Sequence, residues 1–137
     1  MVATFQLSTD GNRAIDITDE IAAAITDSGV AEGIAVISLP HTTASLGIIS
    51  FPDPLGLVDV MDEVSRLVPT RIDFKHQHDT PQDAAGHIKS TLIGTTLSLI
   101  VTGNAALLGH SQKVYFMEHD GPRKRQVHVQ VLGQVGQ

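Results

Sequence analysis

After Gly94 the chain never returns to the spacing of a helix. Leu97, Leu99 and Val101 fall at every second position, Val114 to Met117 forms a short apolar run, and Val127, Val129 and Val131 alternate with Gln126, His128 and Gln130. Successive side chains of a strand point to opposite faces, so this is a strand pattern, and the last segment has one solvated face. Thr102-Gly103-Asn104 and Asp120-Gly121-Pro122 supply turn chemistry. A doubly wound parallel sheet needs strand and helix to alternate throughout, and here the alternation fails. The expected class is α+β, with a mostly antiparallel sheet.

Helical spacing is confined to the earlier part of the chain. Ile17, Ile21 and Ile25 recur every four residues, Asp16 or Thr18 can cap that helix, and Gly29 follows its end. Leu57, Val60, Met61, Val64, Leu67 and Val68 keep helical spacing behind Asp53-Pro54, a cap followed by a residue preset for the first turn, and Pro69 ends the run. Thr80-Pro81-Gln82-Asp83 opens a third helix in the same way, running to about Ile93. Val2 to Leu7 and Gly33 to Leu39 read as strands. Pro40 interrupts, and His41 to Ile49 is a second strand or an extended loop. Phe74 to Asp79 is a polar loop rich in histidine. With no internal repeat or linker, residues 1–137 are expected to form one domain.

Composition narrows the function. There is no cysteine, which removes disulfides and thiolate metal sites and fits a reducing, cytoplasmic setting. The formal charge of -6 argues against a non-specific nucleic-acid binder. No apolar run approaches the roughly 20 residues that span a bilayer, and the N-terminus lacks signal-peptide character. Seven histidines beside one tyrosine and no tryptophan make the location of those histidines the next question.

Three of them sit at informative places. His41 follows a strand, His76 lies in the polar loop, and His87 is inside the third helix. Converging imidazoles can bind a divalent metal or share acid–base work, although spacing this irregular also suits solvated loop residues and an ordinary helix histidine. Asp83 lies four residues before His87 on the same helix face, where a carboxylate can orient the imidazole. As the third helical residue it can equally serve the helix N-terminus. Arg123-Lys124-Arg125 is the one dense positive cluster of an acidic chain. Strand alternation puts Arg123 and Arg125 on one side, with Glu118 able to pair with either. Such a cluster is either a solvated hairpin or an anion contact, and Arg suits the latter through its forked donors. Thr42, Thr43 and Ser45 add hydroxyls near His41.

Taken in order, His41-Thr42-Thr43-Ala44-Ser45-Leu46, Asp53-Pro54, Phe74-Lys75-His76, Asp83-Ala84-Ala85-Gly86-His87-Ile88-Lys89-Ser90, Gly94, and Glu118 with Asp120-Gly121-Pro122-Arg123-Lys124-Arg125 resemble the YjbQ family, whose members are often labelled secondary thiamine-phosphate synthases. The resemblance runs from about Leu7 to Gly133. It implies a strongly curved antiparallel sheet packed with about three helices, a homotrimer, and a pocket containing the matched histidines. It implies an enzyme that joins an aminopyrimidine diphosphate to a thiazole phosphate with release of pyrophosphate. On that reading His41, His76 and His87 bind a divalent ion, zinc or magnesium. His41, His87 and Asp83 carry the acid–base work, and Ser45, Gln112 and Arg123 bind a small phosphorylated metabolite.

The chain departs from the family pattern twice. An Asn-Glu-Asn type stretch is replaced by Ser50-Phe51-Pro52, and a Gly-Thr-Trp-Gln stretch by Gly109-His110-Ser111-Gln112, which keeps the Gln and loses the Trp. Both changes bear on the substrate and not on the fold. The competing reading is a trimeric metal- or small-molecule-binding protein without catalysis, and beyond it a purely structural subunit.

Overall fold

The computed structural model describes residues 1–50 and 53–136. In chain order these form β1 (Val2–Ser8), β2 (Ala14–Asp16), α1 (Thr18–Ser28), β3 (Val30–Ser38), β4 (Ala44–Ile49), α2 (Pro54–Leu67), α3 (Pro81–Ile93), β5 (Thr96–Thr102), β6 (Ala105–Ala106), β7 (Lys113–Glu118) and β8 (Lys124–Val135). Five strands make one sheet in the order β1-β8-β3-β5-β6 and three make another in the order β2-β7-β4. Every ladder is antiparallel. The fold is α+β, a curled antiparallel sheet with three helices.

The helices begin and end where local chemistry directs. Asp16 Oδ1 accepts from the Thr18 N–H at 2.9 Å, and Gly29 closes α1 with φ 70°. Asp53 Oδ1 accepts from the Gly56 N–H at 2.9 Å, so its role is that of a helix cap. The short strands β2 and β6, three and two residues long, carry too few positions to show a period and were not foreseen. Of the segment His41 to Ile49, only Ala44–Ile49 is strand, and His41 to Thr43 is irregular, with a bend at Thr42 and Thr43.

Ile17, Ile21 and Ile25 bury one face of α1 against Ile37, Leu99, Val101, Val127 and Val129 of the large sheet and Leu46 and Phe116 of the small one. Curling follows from a close approach of β3 and β8. A Cβ on Gly33 would stand 1.9 Å from the Leu132 carbonyl oxygen, next to a bulge between Val30 and Glu32. Glycine there lets the two backbones close and the sheet bend.

The small sheet is buried on both faces. Leu46 and Phe116 face the core, while their strand neighbours Ser45 and Met117 point the other way and are buried too. α3 packs on β4 and α2 on β2. Gly86 lets α3 come close, since a Cβ there would lie 3.1 Å from the His119 carbonyl oxygen. A second small core of Val68, Phe74, Ala84 and Ala85 holds the loop of residues 69–80 on α3. That contact places His76 beside the helix. Among the described residues no helix is long and apolar enough to cross a membrane.

Candidate metal centre

The site grows from the first turn of α3. Thr80 caps the helix, its Oγ1 accepting from the Asp83 N–H at 3.1 Å. In a capping box the third helical carboxylate would return to the N–H of the cap. Here Asp79 Oδ1 already takes that N–H at 2.9 Å. The Asp83 carboxylate is therefore free to face the histidines, and its Oδ2 stands 3.1 Å from His76 Nε2 and 3.3 Å from His87 Nε2. Of the two roles open to Asp83 from sequence, the structure favours the histidine contact. The two imidazoles meet edge to face at 5.4 Å between centroids.

Ligand atoms of His76, Asp83 and His87 all lie within 4.8 Å of one another. Asp83 is 10% exposed at its side chain, whereas those of His76 and His87 are 47% and 41% exposed, so the group opens to solvent. Two imidazoles and one carboxylate are a donor set that suits a divalent transition ion with a position left for water or substrate. Magnesium prefers oxygen ligands, and the set fits it poorly. Beside the group lies a cavity of about 620 Å³ lined by Arg71, Phe74, Lys75, His76, His87 and Ile88. That is room for a small metabolite. Arg71 stacks over the Phe74 ring at 4.8 Å. Arg71 was not foreseen, and nothing in its local sequence marks it.

His41 does not join the group. Its Nε2 accepts from the Gln126 N–H at 2.9 Å, which spends the lone pair a metal would need. The expectation of three converging histidines is corrected accordingly: within this chain the group that converges with His76 and His87 is the Asp83 carboxylate. His41 instead borders a second depression of about 380 Å³ that it shares with His87. Burial, then the Arg125 guanidinium, lower the His41 pKa.

Two expected ligand contacts fail. Ser45 is fully buried, its Oγ 2.8 Å from His119 Nε2, so it cannot touch a ligand. Gln112 closes a turn at the other end of β7, its Oε1 accepting from the Gly109 N–H at 2.7 Å. The six residues of β7 separate it from Glu118 by about 20 Å at the usual strand rise.

The basic cluster splits. β8 begins at Lys124, so strand alternation does not extend to Arg123, and Arg123 and Arg125 do not share a side. Arg125 is 4% exposed and paired with the fully buried Glu118. Glu118 also accepts from Thr9 Oγ1 at 2.6 Å and from the backbone N–H groups of His119 and Asp120. Burial works against its charge, but the hydrogen bonds from Arg125 and Thr9 outweigh it and hold the carboxyl below the usual range. Arg123 stays 45% exposed at its side chain, its Nη2 donating to Asp120 Oδ2 at 2.7 Å and its Nε to the Asp120 carbonyl at 2.9 Å. Two of its five N–H donors are thus used for anchoring. Gln82 ties the turn to α3 by donating to Asp120 Oδ1 at 3.0 Å. Asp79 and Asp83 lie near enough to strengthen the Arg123 charge beyond what Asp120 does. Arg123 therefore stands at the edge of the histidine group.

Residues 51 and 52 of the departing stretch Ser50-Phe51-Pro52 lie outside the described residues. The family model for UPF0047 proteins of the YjbQ type matches residues 3–134. A UPF0047 protein of Methanocaldococcus jannaschii is 37% identical over 97% of this chain and 95% of its own length. YugU, a UPF0047 protein of Bacillus subtilis, is 34% identical over 97% of this chain and 100% of its own. A crystal structure of a hypothetical protein from Aeropyrum pernix superposes with a TM-score of 0.91 at 28% identity, covering 98% of this chain and 99% of that one. A conserved protein of the YjbQ/UPF0047 family from Clostridium acetobutylicum gives 0.88 at 34% identity, covering 95% and 99%. With its motifs, its curled sheet and a family match over nearly its whole length, the chain belongs to the YjbQ/UPF0047 family.

Proposed function

We propose that this protein is a metal-dependent enzyme acting on a small phosphorylated metabolite, with His76, Asp83 and His87 as the metal ligands. The observation that carries the reading is the grouping of three ligand atoms within 4.8 Å beside a cavity of metabolite size. The donor set favours zinc over magnesium. When bound, a divalent ion supplies positive charge for a leaving phosphate or diphosphate oxygen.

The chain's own residues do the rest. Arg123, braced by Asp120, turns its unspent N–H donors to an anion arriving at the histidine group. Lys75 lines the cavity and adds positive charge there, while Arg71 is paired with Asp73 at 3.2 Å, and Phe74 and Ile88 give the cavity an apolar wall. Asp83, held in place by the cap of α3, sets its Oδ2 where the two imidazole Nε2 atoms converge, so that all three can face one ion. Resemblance to the family points the finer assignment to a thiamine-phosphate synthase condensation, in which the bond to the diphosphate breaks as the bond to the thiazole forms.

The outer face of the large sheet supports assembly of copies. Ile34 pairs in register with Ile100 on one side and Leu132 on the other, and all three are more than half exposed or at the half mark, at 50%, 60% and 59%. An apolar row of this kind suits a protein interface, and a homotrimer is the expected assembly. Its expected setting is the cytoplasm.

Calorimetric zinc titration of the parent and of His87→Ala tests the proposal. The parent should bind one ion per chain. Loss of one of three ligands should weaken binding at least about 100-fold while the melting temperature stays within a few degrees. Pyrophosphate release from an aminopyrimidine diphosphate and a thiazole phosphate, lost in His87→Ala, would establish the enzyme. Binding without turnover would leave the non-catalytic reading, and equal zinc affinity in both proteins would remove the metal site.

A further inference from the structure

His41 is the one histidine of the resemblance that stands apart from the metal group, and its bonding defines its chemistry. The ladder between β3 and β8 ends at Ser38 opposite His128, and the chain turns away at Pro40. The next N–H of β8 needing a partner, that of Gln126, is taken by His41 Nε2 at 2.9 Å. An imidazole nitrogen that accepts an N–H must hold a lone pair. The neutral ring then carries its proton on Nδ1. To ligate a metal the ring would have to abandon Gln126 or lose its last proton.

The depression that His41 shares with His87 is lined also by Thr42, Ser90, Thr91 and Thr95. Ser90 and Thr91 donate their hydroxyl protons to the carbonyls of Ala44 and His87, which leaves them as acceptors here. Among the described residues no lysine, arginine or carboxylate lines it. The C-terminal turn of α3, ending at Gly94, adds partial negative charge. Arg125 near His41 is neutralised by Glu118. Such a surface is unsuited to a phosphate and suited to an uncharged oxygen that accepts from Nδ1–H. His87 lines both this depression and the cavity at the metal group, so the two are adjacent.

We propose that His41 is a neutral Nδ1–H donor that binds a hydroxyl or carbonyl oxygen of the phosphorylated ligand, and that it is not a metal ligand. This rests on the metal and phosphate reading above. The bland role of His41 is to cap the end of the ladder, and two substitutions separate the roles. In His41→Gln the amide oxygen takes the place of Nε2 and keeps the Gln126 bond, while the donor is lost. In His41→Asn the amide nitrogen takes the place of Nδ1 and keeps the donor, while the Gln126 bond is lost.

Calorimetry on the zinc-loaded full chain, comparing ribose 5-phosphate with inorganic phosphate, reads the difference. The parent should prefer the hydroxylated phosphate roughly three- to tenfold, as for one hydrogen bond. That preference should vanish in His41→Gln and persist in His41→Asn. No preference in the parent, or the same preference in His41→Gln, overturns the proposal. Nitrogen NMR of the imidazoles during addition of zinc alone separates it from the reading beneath it. His76 and His87 nitrogens should move while His41 keeps its Nδ1 proton and an unshifted Nε2. A coordination shift at His41, or a proton on its Nε2, overturns the proposal. Unmoved His76 and His87 nitrogens overturn the metal reading instead.

Discussion

The Glu118–Arg125 pair and the His76–Asp83–His87 group are made from the same chemistry, a carboxylate facing nitrogen donors, yet one is sealed and the other open. Glu118 is fully buried and accepts from Thr9, Arg125 and two backbone N–H groups, while Arg125 also reaches the Thr43 hydroxyl at 2.9 Å. Little is left over for a ligand. Asp83 is equally well seated, but its partners are half exposed and border a cavity. Burial of both the carboxylate and its guanidinium partner makes a structural pair, whereas burial of only the carboxylate leaves nitrogen donors at a surface where something can bind. The contrast predicts that the sealed pair governs stability and the open group governs ligand binding.

Breaking the sealed pair should have the largest effect. Glu118→Ala leaves a buried guanidinium without its partner and should cost about 3–5 kcal/mol in urea unfolding at pH 7. A loss under about 1 kcal/mol would mean that water reaches Arg125 and that the contrast is false.

His119 sharpens the contrast through pH. It is 1% exposed, its Nδ1 has no hydrogen-bond partner among the described residues, and its pKa is lowered to about 4, first by burial and then by the charge of Lys89. Unfolding returns the ring to its usual pKa near 6.5, so between about pH 6.5 and 4 the unfolded chain binds more protons than the folded one. The stability tied to the neutral ring is complete above pH 6.5 and is lost as pH falls toward 4, by about 3 kcal/mol. Urea unfolding at pH 7 and pH 4.5 should show a smaller drop in His119→Leu than in the parent. An identical drop would place His119 in contact with water.

Arg123 belongs to the open group and should show the smallest effect on the fold. Arg123→Lys keeps the charge but loses the forked donors that hold Asp120. Stability should change by under about 0.5 kcal/mol, as for a surface position. Affinity of the zinc-loaded protein for inorganic phosphate should fall about tenfold by calorimetry. Unchanged affinity would make Arg123 a surface ion pair and nothing more.

Much of this molecule was legible from residue order. Periods of two and of about four, Asp53 and Thr80 before prolines, and Gly29 and Gly94 after helices determined α+β and most element positions, because caps, turns and hydrophobic periodicity act within a few residues. The motif order identified the family for the same reason, being a property of sequence alone. What only the tertiary structure decided were the contacts between distant segments. His76 reaches Asp83 because Phe74 buries on Ala84 and Ala85, and no spacing encodes that packing. Ser45 is lost to a ligand because α3 covers β4 and His119 takes its hydroxyl. Arg125 turns inward to Glu118 while Arg123 stays out, since the strand begins between them. His41 gives its lone pair to Gln126 because β3 stops two residues short of it on the neighbouring strand. Which atom of a polar side chain remains free depends on partners that arrive from elsewhere in the chain, and that is settled by packing.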